Sequence, residues 1–372
     1  MRILEIFGEP LSNGGQESFL FNTLKYMNQT GMLFDVLTPY YADNEGYINQ
    51  IKDNGGCVVA FNLSFNPGGS RWNIYKPLDK YLKNNNYDCV HIHSGSIFAL
   101  MVCALVAKKN KVNKIIVHSH ASGSNKNLKY RLIKIISSIV FQYSAVVYCA
   151  CSELAGEWKF NNKVVKNKLI ILKNGIDCNK FKFDEKKRLE KRAELNIDDS
   201  CFVIGNVGRL SKEKNQVFLI KVFELFHNSI HNSKLLIIGS GELEKELKDL
   251  TNKMNLTDSV IFLGSTPHVN EYLNAMDFFV FPSLYEGFGI SLIEAESNGI
   301  PIIASDNIPQ IARVCPNSEY LPLGSNYNFW AEAIEKRMNN QRTVENFDII
   351  SQHGFNLVDT AEAMRQLYIG DR

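Results

Sequence analysis

Short runs of β-branched and aromatic residues alternate along this chain with longer stretches whose apolar positions recur every three to four residues. In the first half the short runs predict strands at 2–7, 33–38, 57–61, 88–93, 114–118 and 145–149. The helical period is clearest at 16–28, 96–108 and 127–142. Strands that alternate with helices in this way build βαβ units around a parallel sheet.

A turn at Lys173-Asn-Gly-Ile-Asp177 and a charged stretch over 182–195 interrupt the rhythm, which then restarts. Strands are predicted at 201–207, 234–239, 259–263, 277–281 and 301–304, and helices at 215–228, 241–253, 268–275, 289–297 and 326–339. The expectation is an α/β protein of two doubly wound, Rossmann-like domains, with the boundary near residue 175. Two such domains facing each other would form a cleft, because ligands in these folds bind beyond the carboxyl ends of the strands.

The length of 372 residues agrees with two domains. A net charge of +2 gives no reason to expect a nucleic-acid partner. Eight cysteines, none in a C-x-x-C pair, read as reduced and mostly buried thiols, as in the cytoplasm. Arg2 to Phe7 reads as a first strand rather than a leader, since Glu5 interrupts it. The longest clean apolar run, Ile97 to Ala107, is well short of the roughly 20 residues that cross a bilayer.

Chemistry concentrates after two strands of the second half. Glu286-Gly-Phe-Gly-Ile-Ser-Leu-Ile-Glu294 follows the apolar run Phe278–Pro282 and opens a helix. Gly287 and Gly289 flank Phe288 and let the backbone approach a ligand closely. The amides of Gly289, Ile290 and Ser291 would point at an anion. Glu286 precedes the helix and can reach a neutral sugar hydroxyl. Glu294 leans back from one turn inside and can accept from a ribose diol. A loop–helix junction with a surface carboxylate at each end fits the spacing equally well. Arg209 and Lys214, in Gly208-Arg-Leu-Ser-Lys-Glu-Lys-Asn215, bracket another loop and suit a diphosphate; a solvated basic loop is the bland alternative. Gly14-Gly15 lies in a turn after the first strand that does not meet the dinucleotide-binding pattern G-x-G-x-x-G.

Taken together and in this order, these segments resemble the GT-B-fold retaining glycosyltransferases of family GT4, in the branch that builds capsular and exopolysaccharides. Glu286 and Glu294 match the family's E-x7-E motif, Arg209 and Lys214 its diphosphate pair, and Gly14-Gly15 its glycine loop. His120, in Val117-His-Ser-His120, matches its active-site histidine, and Asn174-Gly-Ile-Asp177 its domain-junction motif. The resemblance implies an acceptor-binding domain over 1–175, joined by a C-terminal helix at about 355–372, and a donor-binding domain over 176–354. It implies catalytic roles for His120 and Glu286. Gly14, Gly15, Arg209, Lys214, Gly287, Phe288, Gly289, Ile290 and Glu294 would bind the donor, with the base near Gly264-Ser-Thr266. The donor would be a nucleotide sugar, with uridine the base the family implies, and the acceptor a glycan or lipid-linked glycan. A catalytically silent GT-B partner, a sugar-nucleotide epimerase and a phosphorylase are the competing functions.

No Asp-x-Asp occurs in the chain. Arg209, Lys214 and the helix terminus can stabilise a departing diphosphate, so no metal and no cofactor is expected. Two H-x-H pairs, His91/His93 and His118/His120, with Cys149-Ala-Cys151, leave a metal hydrolase conceivable. Strand-end histidines lining a polar cleft are the plainer reading of His91, His93 and His118.

Residues 91–152 contain no Asp or Glu but eight Lys or Arg, among them Lys126, Lys129, Arg131 and Lys134. The helical segment 126–141 adds Leu128, Leu132, Ile133, Ile135, Ile136 and Ile139, which are expected to face the domain core. The missing acids point to peripheral contact with an anionic membrane.

Overall fold

In the computed structural model the chain divides into two compact units, Met1–Gly175 with Leu357–Arg372, and Ile176–Asn356. The structure describes every residue except 13, 28–30, 122–127, 325 and 371–372, and at Lys129 the backbone alone.

The first unit holds strands β1 (Arg2–Phe7), β2 (Leu33–Thr38), β3 (Val58–Ala60), β4 (Cys89–Ser94), β5 (Lys114–Ser119), β6 (Val147–Ala150) and β7 (Leu169–Ile171). They form one parallel sheet in the order β3-β2-β1-β4-β5-β6-β7. The order reverses between β1 and β4, which makes the loops after those strands the natural place for a ligand. Every residue of β4 is buried, so the strand is covered on both faces, as parallel sheets require. One face packs Leu4, Ile92, Leu100 and Val117. The other packs Ile3, Phe7, Phe19 and Leu20 against Ala361, Met364 and Tyr368 of the last helix, Leu357–Ile369.

The helix Leu128–Ser144 corrects an expectation. Ile133 and Val140 pack on the core, but Leu128, Leu132, Ile135, Ile136, Ile139 and Tyr143 are exposed, Leu128 at 82% and Ile139 at 64%. The segment is apolar around most of its circumference, and period alone does not say which side meets the sheet. Lys126 lies outside the described residues.

The second unit holds β8 (Phe202–Val207), β9 (Ser233–Ile238), β10 (Val260–Gly264), β11 (Phe278–Phe281), β12 (Ile302–Ser305) and β13 (Ser318–Leu321). Its parallel sheet runs β10-β9-β8-β11-β12-β13, so its order reverses between β8 and β11. The charged stretch after the turn is a helix, Glu185–Glu194. It has no apolar face to reveal it; Arg188 and Arg192 anchor it to Asp277, at 2.6 and 3.2 Å. Seven cysteines are buried and Cys57 is exposed, and all eight are free thiols. Among the described residues no helix is long and apolar enough to cross a membrane.

Candidate active site

In the second unit the two loops at the reversal point carry the residues singled out in the sequence. The loop after β8 enters a short 3-10 turn, Lys212–Lys214, and then the helix Gln216–Ser229. Asn215 takes the left-handed conformation at that junction, and its side-chain amide donates to Pro282 O at 3.1 Å, in the loop after β11. Leu284 N–H donates to Glu213 O at 2.8 Å, a second tie between the loops. These two loops are thereby bonded to each other.

Lys214 Nζ forms an ion pair with Glu286 Oε1, and Ser283 Oγ donates to the same oxygen at 2.8 Å. Glu286 is buried, with 9% exposure, so the ion pair is largely shielded from water. Arg209 is largely exposed and sits 3.2 Å from Glu242. The structure thus brings Lys214 to Glu286 and places Arg209 on the rim with a different carboxylate. Neither pairing was visible in the sequence.

Gly289, at φ +91°, starts the helix Ile290–Ser297 in a conformation that a side chain would strain. The first intrahelical bond runs from Leu292 N–H to Gly289 O at 3.0 Å, which leaves the Ile290 and Ser291 amides ahead of it. Phe288 is buried against Phe355, their rings 5.6 Å apart. Burial pushes the Glu294 carboxyl up to about 8, with Lys180 opposing the shift. A carboxyl that keeps its proton near neutrality sits within a turn of an anion-seeking helix end without repelling an anion there. Past β10, Gly264 O accepts from Gly239 N–H at 2.9 Å, and the Ser240 and Ser265 hydroxyls meet at 2.7 Å.

In the first unit Gly14 caps the helix Gly15–Leu24. A Cβ on Gly14 would come within 2.3 Å of Glu17 Oε2, so the turn is closely packed. Two carboxyls that sequence reasoning missed lie here. Glu9 takes a bond from Ser94 Oγ at 2.8 Å and one from the Gln16 amide at 3.2 Å. Burial raises Glu9, and raises Glu17 to about 7.

His120 stands just past β5, partly exposed, with its Nε2 2.9 Å from His93 Nδ1. His91, His93 and His118 are fully buried rather than lining a cleft. Parity explains it: β1 pairs with β4 so that Glu5 sits beside His91, and β4 pairs with β5 so that His93 sits beside His118. Burial drives all four histidines toward the neutral form, His93 to about 3. Among the described residues, the ligand atoms of His91, His93 and His118 lie within 4.8 Å of one another, close enough to hold a metal ion. His93 already spends both ring nitrogens on Glu5 and His120.

Residues 13–180 match the family described as Glycosyltransferase Family 4, and residues 187–353 match the one described as Glycosyl transferases group 1. EpsF of Bacillus subtilis (strain 168) is 28% identical, over 99% of this chain and 96% of its own. The UDP-Gal:alpha-D-GlcNAc-diphosphoundecaprenol alpha-1,3-galactosyltransferase of Escherichia coli is 31% identical, over 62% of this chain and 60% of its own. Among solved structures, Anabaena Alr3699/HepE in complex with UDP and glucose superposes with a TM-score of 0.80 at 19% identity, covering 99% of both chains. That likeness shows the fold, two Rossmann-like domains of the GT-B class.

Proposed function

This chain belongs to glycosyltransferase family 4, and from that premise we propose that it is a retaining hexosyltransferase. It moves a hexosyl or N-acetylhexosaminyl unit from a UDP-sugar to a glycan or lipid-linked glycan in surface polysaccharide assembly. The observation that carries this reading is the Lys214–Glu286 pair beside the free start of the Ile290–Ser297 helix, at the reversal point of the second sheet. The names of the galactosyltransferase and of the UDP-and-glucose complex support the choice of UDP-sugar, and the former supports a lipid-linked acceptor.

In this reading the donor diphosphate lies at the Ile290 and Ser291 amides, with Lys214 and Arg209 as its cations. A departing diphosphate gains charge as the glycosidic bond breaks, so donors already in place lower the barrier without reorganising. Glu286 exchanges part of its bond with Lys214 for a sugar hydroxyl. Glu294 holds the ribose diol, and His120 serves the transferred sugar. These groups supply the positive charge the leaving group needs, and no metal or cofactor is required. Retention follows from the family resemblance.

The acid-free basic region 91–152 and the exposed row along Leu128–Ser144 support peripheral binding to an anionic membrane. Each basic residue near such a surface contributes about 1 kcal/mol.

A thermal-shift panel of nucleotide sugars, followed by measurement of sugar transfer or UDP release with Glu286→Ala as control, tests the reading. A UDP-sugar is expected to raise the melting temperature by mass action. Absence of any nucleotide binding by calorimetry overturns it.

A further inference from the structure

β1 lies in the middle of the first sheet, between β2 and β4, where a carboxylate is costly to bury. Glu5 is nevertheless there, fully buried. It links the last helix of the unit to the edge of the candidate site. Tyr368 OH donates to Glu5 Oε1 at 2.5 Å. Glu5 Oε2 lies 2.7 Å from His93 Nε2, and His93 Nδ1 lies 2.9 Å from His120 Nε2. The row ends at His120 Nδ1, a buried atom with no partner among the described residues.

We propose that Glu5 is a positioning residue for sugar transfer: acting through His93, it fixes which ring nitrogen of His120 carries the proton, and so whether His120 offers a substrate hydroxyl an acceptor or a donor. The proposal rests on the reading of His120 as the residue that serves the transferred sugar.

The number of protons along the row sets its direction. A neutral imidazole has one N–H and one lone pair, so the first bond of the row dictates the rest. When Glu5 is ionised it accepts from His93 Nε2–H. His93 Nδ1 then accepts from His120 Nε2–H, and His120 Nδ1 presents a lone pair. When Glu5 is protonated its proton sits on Oε2, because Tyr368 donates to Oε1. It then donates to His93 Nε2, His93 Nδ1–H donates to His120 Nε2, and His120 Nδ1–H becomes a donor. No atom moves more than a proton's hop in either case.

The surroundings support this assignment. The titratable groups facing Glu5 are His91, whose Nδ1 is 3.4 Å away, His93, Tyr368, and the Cys89 thiol. His118 stacks on His91 at 5.4 Å, and Cys149 lies near Tyr368. Burial drives each of these toward its neutral form. The same burial brings Glu5 up to about 8, into the range where an enzyme works.

The experiment follows His120 by long-range proton–nitrogen spectra of protein labelled with 15N in its histidine rings, with His120→Asn to assign the signal. In the wild-type chain, raising the pH from about 6 to about 9.5 is expected to convert His120 from the Nδ1–H to the Nε2–H tautomer, with His93 changing at the same midpoint. Glu5→Gln places an amide donor where the protonated acid had its O–H, and is expected to hold His120 as Nδ1–H throughout. At pH about 9.5, where wild-type Glu5 is ionised, its kcat should fall about tenfold, the worth of one substrate hydrogen bond, with KM for the donor little changed, whereas near pH ~6 the two proteins should agree. Identical His120 signals in the two proteins at pH about 9.5, or wild-type His93 and His120 signals that change at separate midpoints or not at all, overturn the proposal. If the variant does not fold, the wild-type titration decides alone. The spectra need no substrate, so a chain that shows the coupled change but transfers no sugar refutes the functional reading and leaves the tautomer relay standing.

Discussion

Lys214 Nζ pairs with Glu286 Oε1, and so joins the loop after β8 to the loop after β11. In the proposed complex Lys214 faces the diphosphate and Glu286 the sugar, so the two substitutions should separate. Glu286→Gln keeps a partner for Ser283 and is expected to cut kcat by about 10²–10³, as removal of a preorganised contact does, while UDP binds nearly as before. Lys214→Ala should weaken UDP by about tenfold or more, since a charge-assisted bond is lost. Calorimetry with UDP beside transfer rates checks both; equal effects of both changes on both quantities would contradict the division of roles.

Burial holds the Glu296 carboxyl up to about 8, with Ser318 Oγ and Tyr320 OH, at 2.7 and 3.2 Å, pulling the other way. The unfolded chain ionises this group near its ordinary value of about 4.3. Between those two values the unfolded state has lost a proton that the folded state keeps. This contribution to stability is therefore complete below the lower value and is lost as pH rises through about 8. The slope is about 1.4 kcal/mol per pH unit. Glu296→Gln should remove it, so denaturant midpoints of variant and wild type should diverge in the variant's favour from pH ~5 to ~8. A constant gap across that range refutes the assignment.

Asp277 faces Arg188 and Arg192 and also accepts the Val203 N–H at 2.8 Å. Asp277→Ala leaves Arg192, 1% exposed, without its carboxylate. A loss of about 3–5 kcal/mol is expected, the cost of breaking a buried pair from one side. Urea unfolding of the isolated variant measures it, and a loss below about 1 kcal/mol, the range of surface pairs, would show that the anchor is unimportant.

The outward row Leu132, Ile135 and Ile139 gives the membrane reading a test independent of charge. Replacing all three by serine should release the protein from vesicles containing anionic lipid. Fold stability should change little, because these side chains are already in water. Arg131→Glu with Lys134→Glu should act in the same direction and more strongly at low salt. Unaltered vesicle binding by both variants ends the membrane reading.

How far the sequence carried depends on what each residue answers to. All strands except β7 and β13 were legible, because residues such as Ile204, Leu236 and Val280 are buried on every side and sit in apolar runs, whereas Leu169–Ile171 and Ser318–Leu321 are short edge strands that leave little pattern. The positions of Arg209, Lys214 and Glu286 after β8 and β11, and of Glu294 about one turn into the following helix, were legible through spacing. The helix Glu185–Glu194 was missed because its hold on the fold is two guanidinium groups reaching a distant aspartate. Leu128–Ser144 was recognised as a helix and turned the wrong way, since its period identifies an apolar row without naming its neighbour. Glu5 passed as an interruption in a strand: its partners lie on β4 and on the last helix, and only strand order brings them to it.

The helix Leu357–Ile369 has a consequence for how the protein is made. It packs with the unit that begins at β1, yet the ribosome releases it only after all of 176–356. Until then Tyr368 has not reached Glu5, and the pocket that Ala361, Met364 and Leu367 fill stays open to water. The unit synthesised first is thus the one completed last. A stalled or clipped chain lacking Leu357–Ile369 would carry an uncovered apolar surface and a buried acid missing one donor, the kind of exposed surface that drives aggregation.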